Sequence, residues 1–255
     1  MELGREMVIY DLETAPWLAW CYGNQYEPVV AKEVVPTKII SIAYCFGDGP
    51  VRFKSIWDFP GFKSGFPEKI DDKKLVTFIR DEVLNKASIA VGHNSDGFDI
   101  KTINERIKFH NLTPPNLNKT YDTLKMYRKY LKNPSNKLGY LSDKYGYGGK
   151  LPHEGVSMFI KAMSGDEKQQ KVLEKYNKID VERTRSILKD ILPFEQRLKP
   201  VWGKEQCQKC QGYNTRKRGQ DYFKKLGGIY QTFSCTDCGA RWPGNRVIEK
   251  LIQQM

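Results

Sequence analysis

The sequence holds only three histidines, and His93, His110 and His153 stand too far apart to form a metal-ligand spacing. It has no run of 18 or more apolar residues, so a membrane-crossing helix finds no support. The first residues, Met1 to Glu6, are polar and mixed in charge. They lack the basic-then-apolar order of a secretory signal. No glycine-rich loop followed by Lys and Ser or Thr occurs, which leaves nucleoside triphosphate hydrolysis without a motif. Internal repeats and low-complexity tracts are missing too. These absences point to a soluble protein acting in the cytoplasm. The chain has 255 residues, 40% of them hydrophobic and 12% aromatic, enough for one or two domains with proper cores.

Charge is the first positive signal. The formal balance is +12, from 42 basic and 30 acidic residues, and it favours polyanionic partners, nucleic acid first. Half of the excess lies between positions 204 and 255, which carry ten Lys and Arg against four Asp and Glu.

Six cysteines are present. Cys21 and Cys45 stand singly among apolar residues and are expected as core fillers. Cys207 and Cys210, then Cys235 and Cys238, form two Cys-x-x-Cys pairs separated by 24 residues. Without a secretory signal, such pairs speak for metal rather than disulfides. Gly212 and Gly239 help each pair turn tightly, so that four thiolates can surround a zinc ion. Gly227-Gly228 reads as a turn and Ile229 to Phe233 as a strand between the pairs. The segment therefore resembles a small zinc ribbon, with zinc structural because no position is left open for water. Arg216, Lys217 and Arg218, with Tyr222, Phe223, Lys224 and Lys225, interleave bases and aromatics in a way suited to nucleic acid.

The stretch Met7 to Thr14 (MVIYDLET) is expected as a buried strand. Alternate side chains share a strand face, so Asp11 and Glu13 point the same way. Two adjacent carboxylates repel, and a divalent cation with oxygen ligands is the simplest compensation. Trp17 to Pro36 is aromatic but without a period, and is expected as an irregular insertion or short helix. Strands are expected at 38–46, 51–57, 88–92 and 119–123, and helices at 71–85, 99–109, 138–145, 156–163 and 166–188. Asp122 closes a strand as Asp11 does. It reads as the cap of a following helix, or else as a further acid near the site. Strands first, then alternation, then helices indicate an α/β domain with helices on its sheet. A linker is expected over 191–200.

Three segments then align. Asp11-Leu12-Glu13-Thr14 looks like the first motif of the DEDD family of 3′→5′ exonucleases. Asn94-Ser95-Asp96-Gly97-Phe98-Asp99 resembles its second. Tyr176-Asn177-Lys178-Ile179-Asp180 matches the Tyr-x-x-x-Asp third motif of the tyrosine subclass. The resemblance is closest to proofreading domains of family B DNA polymerases and to small stand-alone relatives found in phages. The aromatic stretch Trp20 to Gly23 and the run Gly148-Gly149-Lys150 fit those relatives. Ile179 departs from them, since many carry His before the last Asp.

The resemblance implies a ribonuclease H-like mixed sheet with flanking helices over residues 1–200, followed by the zinc ribbon at 201–255. It implies two Mg²⁺ or Mn²⁺ ions held by Asp11, Glu13, Asp99 and Asp180, with Asp11 bridging and Tyr176 orienting the attacking water. It also implies that Asn94 and Phe98 hold a single-stranded or frayed 3′ end, DNA more readily than RNA. A nuclease fold that only binds nucleic acid, and an endonuclease or ribonuclease on the same fold, stay open as alternatives.

Overall fold

In a computed structural model of the chain, the structure describes residues 3–4, 6–16, 18–23, 29–65, 67–117, 119–148, 154–195, 207, 210, 214–225 and 228–246. Gly149, Lys150, His153, Gly212 and Gly227, named above, lie outside the described residues. The chain divides into two compact units, Met1–Ile191 and Leu192–Met255.

The first unit starts with β1, Met7–Thr14, whose apolar positions are almost wholly buried. Thr14 ends the strand before Pro16, which has no amide hydrogen for a ladder. The next segment differs from the expectation of a helix or irregular insertion. Leu18–Tyr22 forms β2 and Val29–Val35 forms β3, an antiparallel pair with two irregularities in register. β-branched and aromatic residues suit an extended backbone, while the bulges disturb any simple alternation. Cys21 is exposed on this pair and is not a core filler, whereas Cys45 is buried as expected.

β4 (Ile39–Phe46) and β5 (Arg52–Ser55) follow. Helix α1 covers Lys73–Phe78 and runs on through a wider, π-helical stretch at Ile79–Leu84. Then come β6 (Ile89–Gly92), α2 (Asp99–Phe109), β7 (Lys119–Asp122) and α3 (Thr123–Tyr130). The unit closes with α4 (Leu138–Lys144), α5 (Val156–Met163) and α6 (Glu167–Ile191). Asp166 caps α6 by accepting from the amides of Lys168 and Gln169 at 3.0 and 3.1 Å.

The strand order is β5-β4-β1-β6-β7, giving a mixed five-stranded sheet. β4 runs antiparallel to β1 and β5, while β1, β6 and β7 are parallel. The carboxyl ends of β1, β6 and β7 therefore open on one edge, where ligands of open α/β sheets collect. Val8, Tyr10 and Leu12 share one face of β1 and belong to a core with residues of α1, α2 and α5. The alternate face of β1, with Asp11 and Glu13, meets α6. Ser41 and Ala43, small residues, stand opposite Glu13 and Asp11 on β4 and leave room for that helix.

One buried clamp joins strand, helix and loop. Asp72, fully buried, receives the Arg106 guanidinium on both oxygens at 2.8 Å, His110 Nε2 at 2.6 Å and the Ile39 amide at 2.9 Å. His110, alone in the sequence, is thus brought to an aspartate 38 positions away.

In the second unit, β8 (Thr215–Lys225), β9 (Gly228–Cys235) and β10 (Arg241–Arg246) form an antiparallel sheet in the order β10-β9-β8. β8 and β9 form the antiparallel ribbon expected between the cysteine pairs, while β10, after Cys238, is a further strand. No helix among the described residues is long and apolar enough to cross a membrane.

Candidate metal and nucleic-acid site

Asp11 and Glu13 leave β1 toward α6, and a register shift against β4 falls between Glu13 and Thr14. β6 stops at Gly92, short of the end of β1, so the amide of Leu12 donates to Asp99 Oδ1 at 3.1 Å instead of to a strand. This bond ties the first residue of α2 to β1. Gly92 permits the close turn: a Cβ there would lie 2.6 Å from Cβ of Ser95.

Helix α6 supplies the remaining parts. Leu173, Asn177, Val181, Thr184 and Leu188 are buried at three- and four-residue spacing, and this face lies on the sheet. Tyr176 and Asp180 flank it, one turn apart, and their side chains hydrogen-bond. Asn177 is fully buried, and its Nδ2 donates to Asp11 Oδ2 at 2.7 Å and to the Asp11 main-chain carbonyl at 3.1 Å. Ser41 Oγ donates in turn to Asn177 Oδ1 at 3.3 Å, which fixes the orientation of the amide. Arg183 Nη1 donates to Asp180 Oδ1 at 3.1 Å.

The electrostatics show that the four acids share one neighbourhood. Burial, then the charges of Glu13, Asp99 and Asp180, hold the Asp11 carboxyl well above the usual range. Glu13 is pushed up to about 8 by burial, then by Asp180 and Asp99. Burial raises Asp99 to about 7, against the opposing pull of the Leu12 amide and its own main-chain amide. Tyr176 is raised by burial and by Asp180, Glu13 and Asp11, so its hydroxyl stays protonated at ordinary pH. Burial and neighbouring carboxylates disfavour the anions of Asp11 and Glu13, and burial that of Asp99; together with Asp180 they are a donor set suited to hard divalent cations. No three of these carboxylates bring one oxygen each within 4.8 Å of one another; their spread exceeds a single closed ion shell.

The described residues contain two tighter groups able to hold a metal ion. The first is Cys207, Cys210, Cys235 and Cys238, with sulfur contacts of 3.5 Å for Cys207–Cys238 and 3.6 Å for Cys210–Cys235. Tetrahedral zinc with Zn–S of about 2.3 Å sets sulfurs about 3.8 Å apart, so the donor set fits zinc. The second is Asp71, Asp72 and His110. There the Asp72 oxygens already face the Arg106 guanidinium, whose charge opposes a cation. That group acts as the clamp described above.

The second-motif loop is held by Asp122, which accepts from the amides of Asn94 at 2.9 Å, Asp96 at 3.3 Å and Leu124 at 2.9 Å. Asp122 thus caps α3, the first of its two expected roles. Asn94 adopts a left-handed backbone, φ 65°, and is exposed. Phe98 is 42% exposed, which excludes a core-packing role. Arg216 is exposed on β8, where Lys217 and Arg218 follow it. Sequence reasoning missed Asn177 and Arg183. The only available signal was position: both lie within one turn of the Tyr176–Asp180 pair.

No protein-family model matches the sequence, and none of the curated proteins searched matches it. Among solved structures, the chain is similar to the family B DNA polymerase from the hyperthermophilic archaeon Pyrobaculum calidifontis, with a TM-score of 0.52 at 16% identity. The likeness covers 74% of this chain and 24% of that one, so the chain spans about a quarter of the polymerase's length. At this identity the likeness is one of fold.

Proposed function

We propose that the chain is a metal-dependent 3′→5′ exonuclease of the tyrosine DEDD subclass, acting on nucleic acid with DNA preferred. In this reading residues 1–200 are a ribonuclease H-like catalytic domain and residues 201–255 a zinc ribbon that binds nucleic acid through Arg216, Lys217 and Arg218. The observation that carries the proposal is the meeting of Asp11, Glu13, Asp99 and Asp180, from three separate segments, within mutual electrostatic range and beside Tyr176. The mixed sheet, and a fold likeness to a polymerase of the family that the motifs resemble, support it.

The four carboxylates would hold two Mg²⁺ or Mn²⁺ ions, which when bound supply a water of lowered pKa and neutralise charge on the leaving oxygen. Asn177 Nδ2 holds both the main-chain carbonyl and Oδ2 of Asp11, so the carboxylate that would bind the ions keeps its direction. Arg183 does the same for Asp180. Tyr176, protonated, orients the attacking water by a hydrogen bond and does not serve as a base. The water oxygen bonds to the terminal phosphorus, the bond from phosphorus to the 3′ oxygen breaks, and that oxygen takes a proton. Phe98 stacks on a base near the end of the strand and Asn94 contacts it.

The test is digestion of 5′-labelled linear DNA and RNA, with a circular strand beside them, in Mg²⁺ and Mn²⁺. The proposal expects a ladder that shortens from the 3′ end and an intact circle. Cutting of the circle would point to an endonuclease. Intact substrates of every kind would leave a nucleic-acid-binding protein.

A further inference from the structure

Beyond the carboxyl ends of β6 and β7 lies a cleft of about 600 Å³, in the size range of ligand sites. Its lining includes His93, Asn94, Arg128, Ser135, Asn136 and Lys137, and no acid. His93 is a fixed wall: its ring nitrogens lie 2.8 Å from Thr123 Oγ1 and 2.9 Å from the Asn136 carbonyl. Burial first, and then the Arg128 charge, work to keep that ring neutral. Arg128, on α3, and Lys137 are exposed, and neither has a side-chain hydrogen bond or ion pair among the described residues. Both charges are therefore unpaired among the described residues, and both line a concave surface.

The cleft is linked to the acids through one loop. Asn94 lines it, and five residues later the same loop ends on Asp99. The Asp122 carboxylate does not line the cleft and is held by three main-chain amides. We propose that this cleft takes the sugar–phosphate backbone of a single strand, with Arg128 and Lys137 contacting phosphates upstream of the terminal nucleotide. The assignment rests on the nuclease reading for its direction, since the strand must run from the cleft past Asn94 to the acids. The interaction is one of charge with phosphate, so it is indifferent to base sequence and sensitive to salt.

The test uses the full-length protein and a fluorescently labelled single-stranded DNA. Binding is read by anisotropy over a salt series in an Asp11→Ala background, which removes turnover. The double variant Arg128→Ala/Lys137→Ala is compared with Lys168→Ala/Lys171→Ala, which removes the same charge from exposed positions on α6. The cleft variant is expected to bind at least about tenfold more weakly. Its slope of log affinity against log salt should be shallower by about 1.4, at about 0.7 per phosphate contact with a single strand. In the active background KM should rise on long strands with kcat retained, and the difference should vanish on a dinucleotide, whose one phosphate is the scissile one. Equal weakening by the α6 control, or an effect on the dinucleotide as large as on long strands, would overturn the cleft. A wild-type protein that digests DNA while the cleft variant matches it would overturn the cleft and leave the enzyme standing. Binding lost in the cleft variant of a protein that digests nothing would support the cleft and sink the exonuclease.

Discussion

Asp11 and Glu13 stand one residue apart on a covered strand face, and the fold favours their protonated forms. A carboxyl whose folded pKa is raised contributes stability that is fully present below its unfolded value and lost as pH rises through its folded value. For Glu13 that window runs from 4.5 to about 8, and for Asp99 from 3.8 to about 7. The metal-free protein should therefore lose melting temperature between about pH 5 and 8. His93, whose pKa is lowered, acts in the opposite direction below its ordinary 6.5. The contrast with Glu13→Gln isolates the carboxyl: the variant should show a flatter profile by differential scanning calorimetry. A wild-type profile no steeper than the variant's would count against the buried acids.

Asn177 is the second residue that matters at this scale. Asn177→Ala should lower kcat by about tenfold to a hundredfold, in the range set by residues that orient metal ligands, with weakened Mn²⁺ affinity. Asn177→Asp should not rescue it, since a fifth acid would face Asp11. Steady-state kinetics and Mn²⁺ titration check both. Nothing local in the sequence marks this residue. Its partners lie 166 and 136 positions away, and an Asn in a charged helix reads as solvated surface. The shared face of Asp11 and Glu13, by contrast, follows from the two-residue period of a strand.

Among elements, the clamp of Asp72, Arg106 and His110 holds α2 against the strand β4 and the start of α1. Asp72→Ala would leave a buried guanidinium without its carboxylate. A loss of about 3–5 kcal/mol in urea unfolding is expected, the usual cost of breaking a buried pair from one side. A loss under about 1 kcal/mol would mean that water reaches Arg106. The clamp was illegible beforehand because its members lie 34 and 38 positions apart and each is ordinary alone. Elements with a long apolar run, such as β1 and β4, or a helical period, such as α6, could be read. The β2–β3 pair could not: it carries Trp20 and Tyr22 at 69% and 73% exposed, and no buried face imposes alternation on it.

On the scale of the whole molecule, two compact units carry different kinds of candidate donor set, carboxylates in the first and thiols in the second. Hard oxygen donors suit Mg²⁺ or Mn²⁺ and soft thiolates suit zinc, so the two sites should be separable by chelation. A zinc-selective chelator is expected to unfold the second unit, whose sheet is too small for a sufficient core of its own. The first unit should keep its far-UV helical signal. One zinc per chain by elemental analysis, lost in Cys207→Ser/Cys210→Ser, is the accompanying result. Persistence of the second unit's strands without metal would contradict it. The cysteine spacing made this unit readable, while β10 has Pro243 and Gly244 within it and gave no strand signal.

The claim on which the rest depends is that Asp11, Glu13, Asp99 and Asp180 act as one divalent-ion site. Calorimetric titration of Mn²⁺ into zinc-loaded protein measures this directly. The account predicts saturable uptake of two ions per chain, reduced in both Asp11→Asn and Asp180→Asn. No uptake, or uptake unchanged in those two variants, would contradict it.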